Sequence, residues 1–389
     1  MNILIVHNRY QIPGGEDTVF ENEAALLRKH GHHVVLYERT NKELDDMNVF
    51  QKTAVPLSMI FSVRSYIEIR DIIRKEHIDV VHVHNTLLRI SPSVYYVAVK
   101  ERVPAVQTIH NFRMICPNGI CYRDGHICEE CVEHGLRCAI RHNCYRSNKL
   151  QTLACVLSMY IHRLTGIYRK LHYICLTEFN KHQLLKQRQI SESQISVKPN
   201  SMNSDGMIKP FEERKNQIIY AGRLDESKGI RFLLKVWKEM KSHPYKLLIY
   251  GSGPLEEECS AFIKSEGLVD VELCGSIAHD QLMNIIGESK ALILPTQWYE
   301  GFPMSMLEAM SKGTPVIVPD LGNAGSITVN HVTGYKYQPG SVEDCIRAIN
   351  EDMNINDAVY KHFIDNYSEE KNYESLMDIY ETVTGESHE

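Results

Sequence analysis

Apolar and polar positions along the 389 residues fall into two repeating textures. Short apolar runs read as buried strands, and longer stretches with apolar positions three and four apart read as helices packed on them. In the first half the pattern predicts strands at 3–6, 34–37, 79–84, 105–109, 173–176 and 197–200. Helix-period runs stand between them at 18–30, 63–75, 93–100, 152–168 and 179–186. A loop, Pro13-Gly14-Gly15-Glu16, joins the first strand to the first helix, which Gly31 stops. Residues 201–216 are polar and mostly without period, which places a domain boundary there. The alternation then restarts, with strands at 218–220, 245–250, 271–274, 291–294 and 315–318 and a helix at 229–240. Strands alternating with helices predict parallel sheets with right-handed crossovers. The expected class is therefore α/β: two Rossmann-like domains, 1–200 and 201–366, whose parallel sheets face a central cleft. Residues 369–383 are amphipathic, and a helix within 367–389 is expected to pack back on the first domain.

Composition narrows the function. An apolar share of 43% supports a core in each half, and the net charge of −6 argues against a nucleic-acid partner. No window holds the 18 or so apolar residues of a membrane span. The first residues, Met1-Asn-Ile-Leu-Ile-Val, lack the basic start of a leader and read as a strand, so a cytoplasmic protein is expected.

Two strand–loop–helix units in the second half carry candidate chemistry. In Glu300-Gly-Phe-Pro-Met-Ser-Met-Leu-Glu308, Pro303 suits the first position of a helix that Gly313 ends. Backbone N–H groups at such a start suit a phosphate. The two carboxylates can accept paired hydrogen bonds from sugar hydroxyls. In Gly222-Arg223-Leu-Asp-Glu-Ser-Lys228-Gly229, two cations at a strand end can neutralise a diphosphate. The plain alternative in each case is a solvated loop and helix. Gly251-Ser-Gly253 is a third glycine turn after a strand, weak on its own.

Taken in order, these motifs resemble the retaining glycosyltransferases of family four, also called group 1, which have the GT-B fold. The resemblance covers nearly the whole chain. It implies that Arg223 and Lys228 grip the donor pyrophosphate, that Glu300 contacts the sugar and that Glu308 contacts the ribose. It assigns backbone contacts to Gly301 and Phe302, base reading to the segment at Ile277, and closure on the phosphates to the loop at Gly15. His110, in Thr108-Ile109-His110-Asn111, resembles the family's active-site histidine, although family members often have Asp where Asn111 stands. His84 also ends a strand, and for either histidine the plain alternative is a ring satisfied by backbone. The family retains anomeric configuration. The chain has no Asp-x-Asp, in keeping with a donor site that needs no catalytic metal.

Six of the eleven cysteines lie between Cys116 and Cys144, within an insert at 111–149. In a cytoplasmic chain such a cluster suggests metal before disulfides, and Cys128-Glu-Glu-Cys131 is half of a common zinc site. The insert resembles one in a bacterial subset of the family, and that likeness selects Cys116, Cys128, Cys131 and Cys144 as structural zinc ligands. The alternative is a loop of reduced thiols. Between Glu133 and Glu178 there is no acid, while Arg137, Arg141, Arg146, Lys149, Arg163, Arg169 and Lys170 are all present. Residues 137–170 are therefore expected to meet an anionic membrane surface, on the inner face of the plasma membrane, where a lipid-linked saccharide acceptor would be presented. The rival readings are a nucleotide-sugar epimerase or a phosphorylase on the same fold, and a zinc-bearing interaction module without catalysis.

Overall fold

The computed structural model describes residues 1–11 and 14–385; side chains at 49–54 are not described. Pro13 of the predicted glycine loop and 386–389 of the predicted last helix lie outside the described residues. The chain divides into two compact units. The first holds residues 1–121, 128–200 and 372 onward, and the second holds 122–127 and 201–371.

The strands of the first half are β1 (Asn2–Arg9), β2 (His33–Thr40), β3 (Val80–Asn85), β4 (Ala105–Ile109), β5 (Tyr122–Arg123), β6 (His126–Ile127), β7 (His172–Cys175) and β8 (Ile195–Val197). Six of them form a parallel sheet in the order β2-β1-β3-β4-β7-β8, and β5 and β6 form a separate antiparallel hairpin. Helices cover both faces, so β1 is apolar without a break from Ile3 to Val6. Ile3 and Ile5 pack on one side with Phe20 and Leu27 of helix Gly15–Lys29. Leu4 and Val6 pack on the other with Ile69 and Ile73 of helix Val63–Lys75. This is the period of two expected of a strand buried on both faces.

In the second half, β9 (Lys215–Ala221), β10 (Lys246–Tyr250), β11 (Val271–Gly275), β12 (Ser289–Ile293), β13 (Val316–Pro319) and β14 (Gly334–Tyr337) form another parallel sheet, in the order β11-β10-β9-β12-β13-β14. Ile218 and Tyr220 face Leu233 and Trp237, while Ile219 and Ala221 face Leu307 and Met310. In each sheet the strand order reverses beside the first strand, between β1 and β3 and between β9 and β12. That reversal opens a crevice at the carboxyl ends, where open α/β sheets take their ligands.

Three features depart from the sequence pattern. Helix Val49–Ile60 was not predicted, and Pro56 inside it explains why, since proline reads as a helix breaker. Strand β14, four residues long, is a sixth strand of the second half that the pattern did not predict. The strand expected at 197–200 is Ile195–Val197, and the chain leaves it as coil at Lys198. The last helix is Glu369–Thr384.

Candidate functional site

The second unit gathers most of the predicted donor residues at its crevice. The loop after β9 carries Arg223 and Lys228, and the loop after β12 carries Glu300. Lys228 Nζ lies 2.9 and 2.8 Å from the two carboxylate oxygens of Glu300. Thr296 Oγ1 donates to the same carboxylate at 2.8 Å. Glu300 is buried, at 3% exposure. Its backbone is left-handed, with φ of 49°. Such a conformation in a residue other than glycine costs about 1–3 kcal/mol and persists only where neighbours hold it. Asn323 does so: its Nδ2 donates to the carbonyls of Glu300 at 2.8 Å and Gly301 at 2.6 Å. Neither Thr296, four residues before the Glu300–Glu308 motif, nor Asn323, fifteen after it, was assigned a role from the sequence, because an isolated polar residue outside a motif carries no pattern.

Close backbone packing shapes the crevice floor. Gly251 has φ of 126°, and a Cβ there would fall 2.0 Å from the carbonyl oxygen of Gly222. Gly229 has φ of 74°, and its Cβ would fall 1.8 Å from the Pro295 carbonyl oxygen. The glycine turns therefore let the loops after β9, β10 and β12 touch. Pro303 is the N-cap of helix Met304–Ser311, one position before the predicted place. Glu308, in that helix, is bonded at 3.1 Å by exposed His279. Phe302 is half-buried against the core, and Ile277 lies in the loop after β11. Arg223 is 62% exposed and pairs loosely with Asp225 at 3.6 Å, so its guanidinium is available to a ligand.

The first unit builds a different cluster at its own crevice. His110 follows β4 and His84 lies near the end of β3. His110 Nε2 and His84 Nδ1 are 3.0 Å apart. His84 Nε2 lies 3.1 Å from Glu23 Oε2, and Lys198 Nζ lies 2.8 Å from Glu23 Oε1. Burial pushes the Glu23 carboxyl up, but Lys198, with the contact from His84, outweighs it and holds the group well below the usual range. Burial and the neighbouring His84 keep His110 well below the usual histidine range, so its ring is neutral. Next to them His7 Nε2 meets Asp17 at 2.8 Å, and Asp17 accepts from the Gly14 N–H at 2.7 Å. The helix that begins at Gly15 thus carries its own acids, Glu16 and Asp17, in its first turn. Burial pushes the Glu16 carboxyl up to about 7, against the pull of Arg113. Glu16 accepts from Asn85 at 3.0 Å. His84, His110, Asn111 and Arg113 also line a cavity of about 100 Å³, with Met59 and Met159 among its apolar lining.

Sequence reasoning missed Glu16, Glu23 and Lys198. One signal was present: Glu16 and Glu23 are seven residues apart on helix Gly15–Lys29, hence on one face.

Among the described residues, Glu23, His82 and His84 are the group whose possible metal-ligand atoms lie within 4.8 Å of one another. They do not fit a metal. Lys198 already meets Glu23, and both His82 nitrogens are taken, by Tyr380 and Thr108 at 2.7 Å each. The four cysteines selected for zinc are not gathered as tightly. The cysteines are nonetheless neighbours. The Cys121 thiol, together with the N–H groups of Cys121, Gly119 and Asn118, draws the Cys116 thiol down to about 6. Burial, together with Cys116, Cys144 and Cys138, pushes Cys131 up to about 12.

Of the basic stretch, Arg137, Arg141, Arg146, Lys149, Arg169 and Lys170 are exposed. Arg163 is not a surface cation: it turns inward and donates to the Met114 carbonyl at 2.8 Å. Along helix Lys149–Leu164, Leu150, Leu153, Leu157, Tyr160 and Leu164 stand exposed as one ridge. Among the described residues no helix is long and apolar enough to cross a membrane.

Residues 205–374 match the model of "Glycosyl transferases group 1", and residues 13–205 match that of "Glycosyltransferase Family 4". The lipopolysaccharide 1,6-galactosyltransferase of Escherichia coli K12 is 27% identical over 216 residues, 53% of this chain and 60% of that protein. The chain thus aligns with less than two thirds of this relative's length. Among solved structures, the lipopolysaccharide outer core galactosyltransferase WaaB superposes with a TM-score of 0.69 at 19% identity, over 97% of this chain and 100% of that one. Anabaena HepE in complex with UDP superposes with a TM-score of 0.65 at 14% identity, over 98% and 100%. Such likenesses establish the fold, two Rossmann-like domains of the GT-B type. The chain belongs to the glycosyltransferases, with a family 4 domain followed by a group 1 domain.

Proposed function

We propose that this protein transfers a sugar from a nucleoside-diphosphate sugar to a saccharide acceptor in making a bacterial surface polysaccharide. The observation that carries the reading is the Lys228–Glu300 pair at the crevice of the second sheet. A cation and a buried carboxylate there offer one group to the diphosphate and one to sugar hydroxyls. Binding of the diphosphate draws Lys228 away from Glu300, which frees the carboxylate for the sugar. Arg223 adds the second cation, Glu308 takes the ribose, Ile277 lies beside the base, and the backbone at Gly301 and Phe302 meets the sugar. In the first unit, the loop at Gly15 is assigned to the phosphates and the ring of His110 to the sugar. The two cations carry the charge of the leaving group, so no catalytic metal is required. Transfer proceeds with retention: the bond from the anomeric carbon to the phosphate oxygen breaks, the acceptor oxygen bonds on the same face, and its proton passes to the leaving phosphate. The names of the relatives, a lipopolysaccharide galactosyltransferase and a UDP complex, support this substrate class.

A calorimetric screen of nucleoside diphosphates and their sugars tests the reading. At least one is expected to bind, and silence across the panel would sink it.

The acceptor is a lipid-linked saccharide met at the cytoplasmic face of the membrane. What supports this is the exposed leucine ridge of helix Lys149–Leu164, flanked by cations. A structural zinc on Cys116, Cys128, Cys131 and Cys144 folds the insert; what supports this is the Cys128-x-x-Cys131 spacing and the nearness of Cys116 and Cys144 to the Cys131 thiol. Elemental analysis of protein purified without chelator is expected to find one zinc per chain; none would refute it.

A further inference from the structure

The first unit holds a buried line of groups that the proposed reaction does not use: Lys198, Glu23 and His84, ending at His110. Their contacts run 2.8 Å from Lys198 Nζ to Glu23 Oε1, 3.1 Å from Glu23 Oε2 to His84 Nε2, and 3.0 Å from His84 Nδ1 to His110 Nε2. All but His110 are fully enclosed. Each link constrains the next. An ionised carboxylate can only accept, so the proton of His84 sits on Nε2. The contact is bent, yet no other described group accepts from that buried nitrogen. A neutral His84 then presents a bare Nδ1, which can only accept from His110 Nε2–H. Neutral His110 has spent its one proton and is left with a bare Nδ1, which has no partner among the described residues.

Two further facts fix the direction. Lys198 already balances the charge of Glu23, so a second cation at His84 would be buried without a counter-ion, which is costly. His82, whose ring lies tilted 4.5 Å from that of His84, is held neutral by burial and cannot supply one.

We propose that Glu23 and His84 are positioning residues that lock His110 in the Nε2–H tautomer, so that its Nδ1 serves as a hydrogen-bond acceptor for a hydroxyl of the substrate. This rests on His110 meeting substrate, as in the function proposed above. The logic is that of a histidine oriented by a buried carboxylate, extended here by one intervening imidazole. An acceptor at that position favours a hydroxyl donor and disfavours a phosphate oxygen, which has no proton to give at neutral pH. His110 thereby selects for the sugar and not for the leaving group.

The test is nitrogen-15 spectroscopy of histidine-labelled full-length protein at pH 8, with the His110 signals identified by their loss in His110→Gln. The expected pattern is a protonated Nε2 and an unprotonated Nδ1 at His110. The reverse pattern, or a rapid average of both, overturns the proposal, and this reading needs no variant of the relay itself. Glu23→Gln gives the second arm. Lys198 would keep the amide oxygen, so the amide NH2 would face His84 Nε2 and the whole line would reverse, moving the His110 proton to Nδ1. A folded Glu23→Gln whose His110 pattern is unchanged refutes the relay. Neither arm depends on nucleotide binding. If the ligand screen is silent while the pattern is as expected, the relay holds and the proposed reaction fails; the opposite result rejects the relay alone.

Discussion

At Lys228 a single ammonium is bonded to both oxygens of a buried carboxylate, and Trp298 lies 5.4 Å below it. Its energetic role depends on what else is present. In the free protein it neutralises Glu300. With a diphosphate bound, Lys228→Ala removes a charge-assisted bond worth about 1.5–3 kcal/mol and leaves Glu300 repelling the ligand. Nucleoside diphosphate affinity is expected to fall by about 10- to 100-fold by titration calorimetry. Glu300→Gln relieves that repulsion, so the double variant should bind diphosphate more tightly than Lys228→Ala alone. If it binds equally or worse, the two side chains do not share the ligand as argued. At this scale the sequence was legible where chemistry needs fixed spacing. Arg223, Lys228, Glu300 and Glu308 were singled out by motif spacing together with the family resemblance, and the structure sets Lys228 against Glu300. Glu23 and Lys198 were not. They are 175 residues apart and meet only because β1, β3 and β8 belong to one sheet, a pairing no local pattern records.

At the scale of one element, helix Lys149–Leu164 has two apolar faces with different work. Val156 and Met159 are buried against Leu136 and Ala139 of the insert. Leu150, Leu153, Leu157 and Leu164 are 76%, 46%, 47% and 84% exposed, a ridge that a water-facing helix would not keep. The sequence showed that the helix was apolar and its flanks basic. It could not say which leucines were surplus to the core, because that depends on how much of the helix the insert and helix Val49–Ile60 cover. The ridge predicts a measurable division between lipid contact and stability. Replacing Leu153 and Leu157 together with serine removes two side chains worth roughly 1.5–3 kcal/mol each when buried in lipid. Binding to vesicles rich in anionic lipid should drop at least tenfold while the thermal midpoint hardly moves. Charge reversal at Arg169 and Lys170 should weaken binding by at least about 1 kcal/mol per cation and reduce its sensitivity to salt. Unchanged vesicle binding in the leucine pair would remove the membrane from the account.

The whole molecule depends on its last helix in a way that only one unit shares. Leu376, Met377, Ile379 and Tyr380 complete the core face formed by Ile3, Ile5, Phe20, Val106 and Ile174. The Tyr380 hydroxyl meets His82 at 2.7 Å, and Asn372 meets Lys198 at 3.1 Å and the Pro199 carbonyl at 2.8 Å. The amphipathic pattern of this segment was readable, and so was its return to the first domain, but not which strands it meets, since those lie about 200 to 370 residues earlier. Removing residues 372–389 would strip four buried side chains, roughly 1.5–3 kcal/mol each. That is about 6–12 kcal/mol, comparable to the entire 5–15 kcal/mol that holds a typical domain. The second unit loses nothing of this kind, because neither of its core clusters includes a residue beyond Tyr367. A chain ending at Lys371 should therefore show one calorimetric unfolding transition in place of two. It should keep its affinity for whichever nucleoside diphosphate the full chain binds, because the donor groups named above, the loop at Gly15 excepted, belong to the second unit. Two intact transitions would mean that the last helix is dispensable to the first core. Loss of both, with loss of diphosphate binding, would mean that the second unit cannot stand without the first.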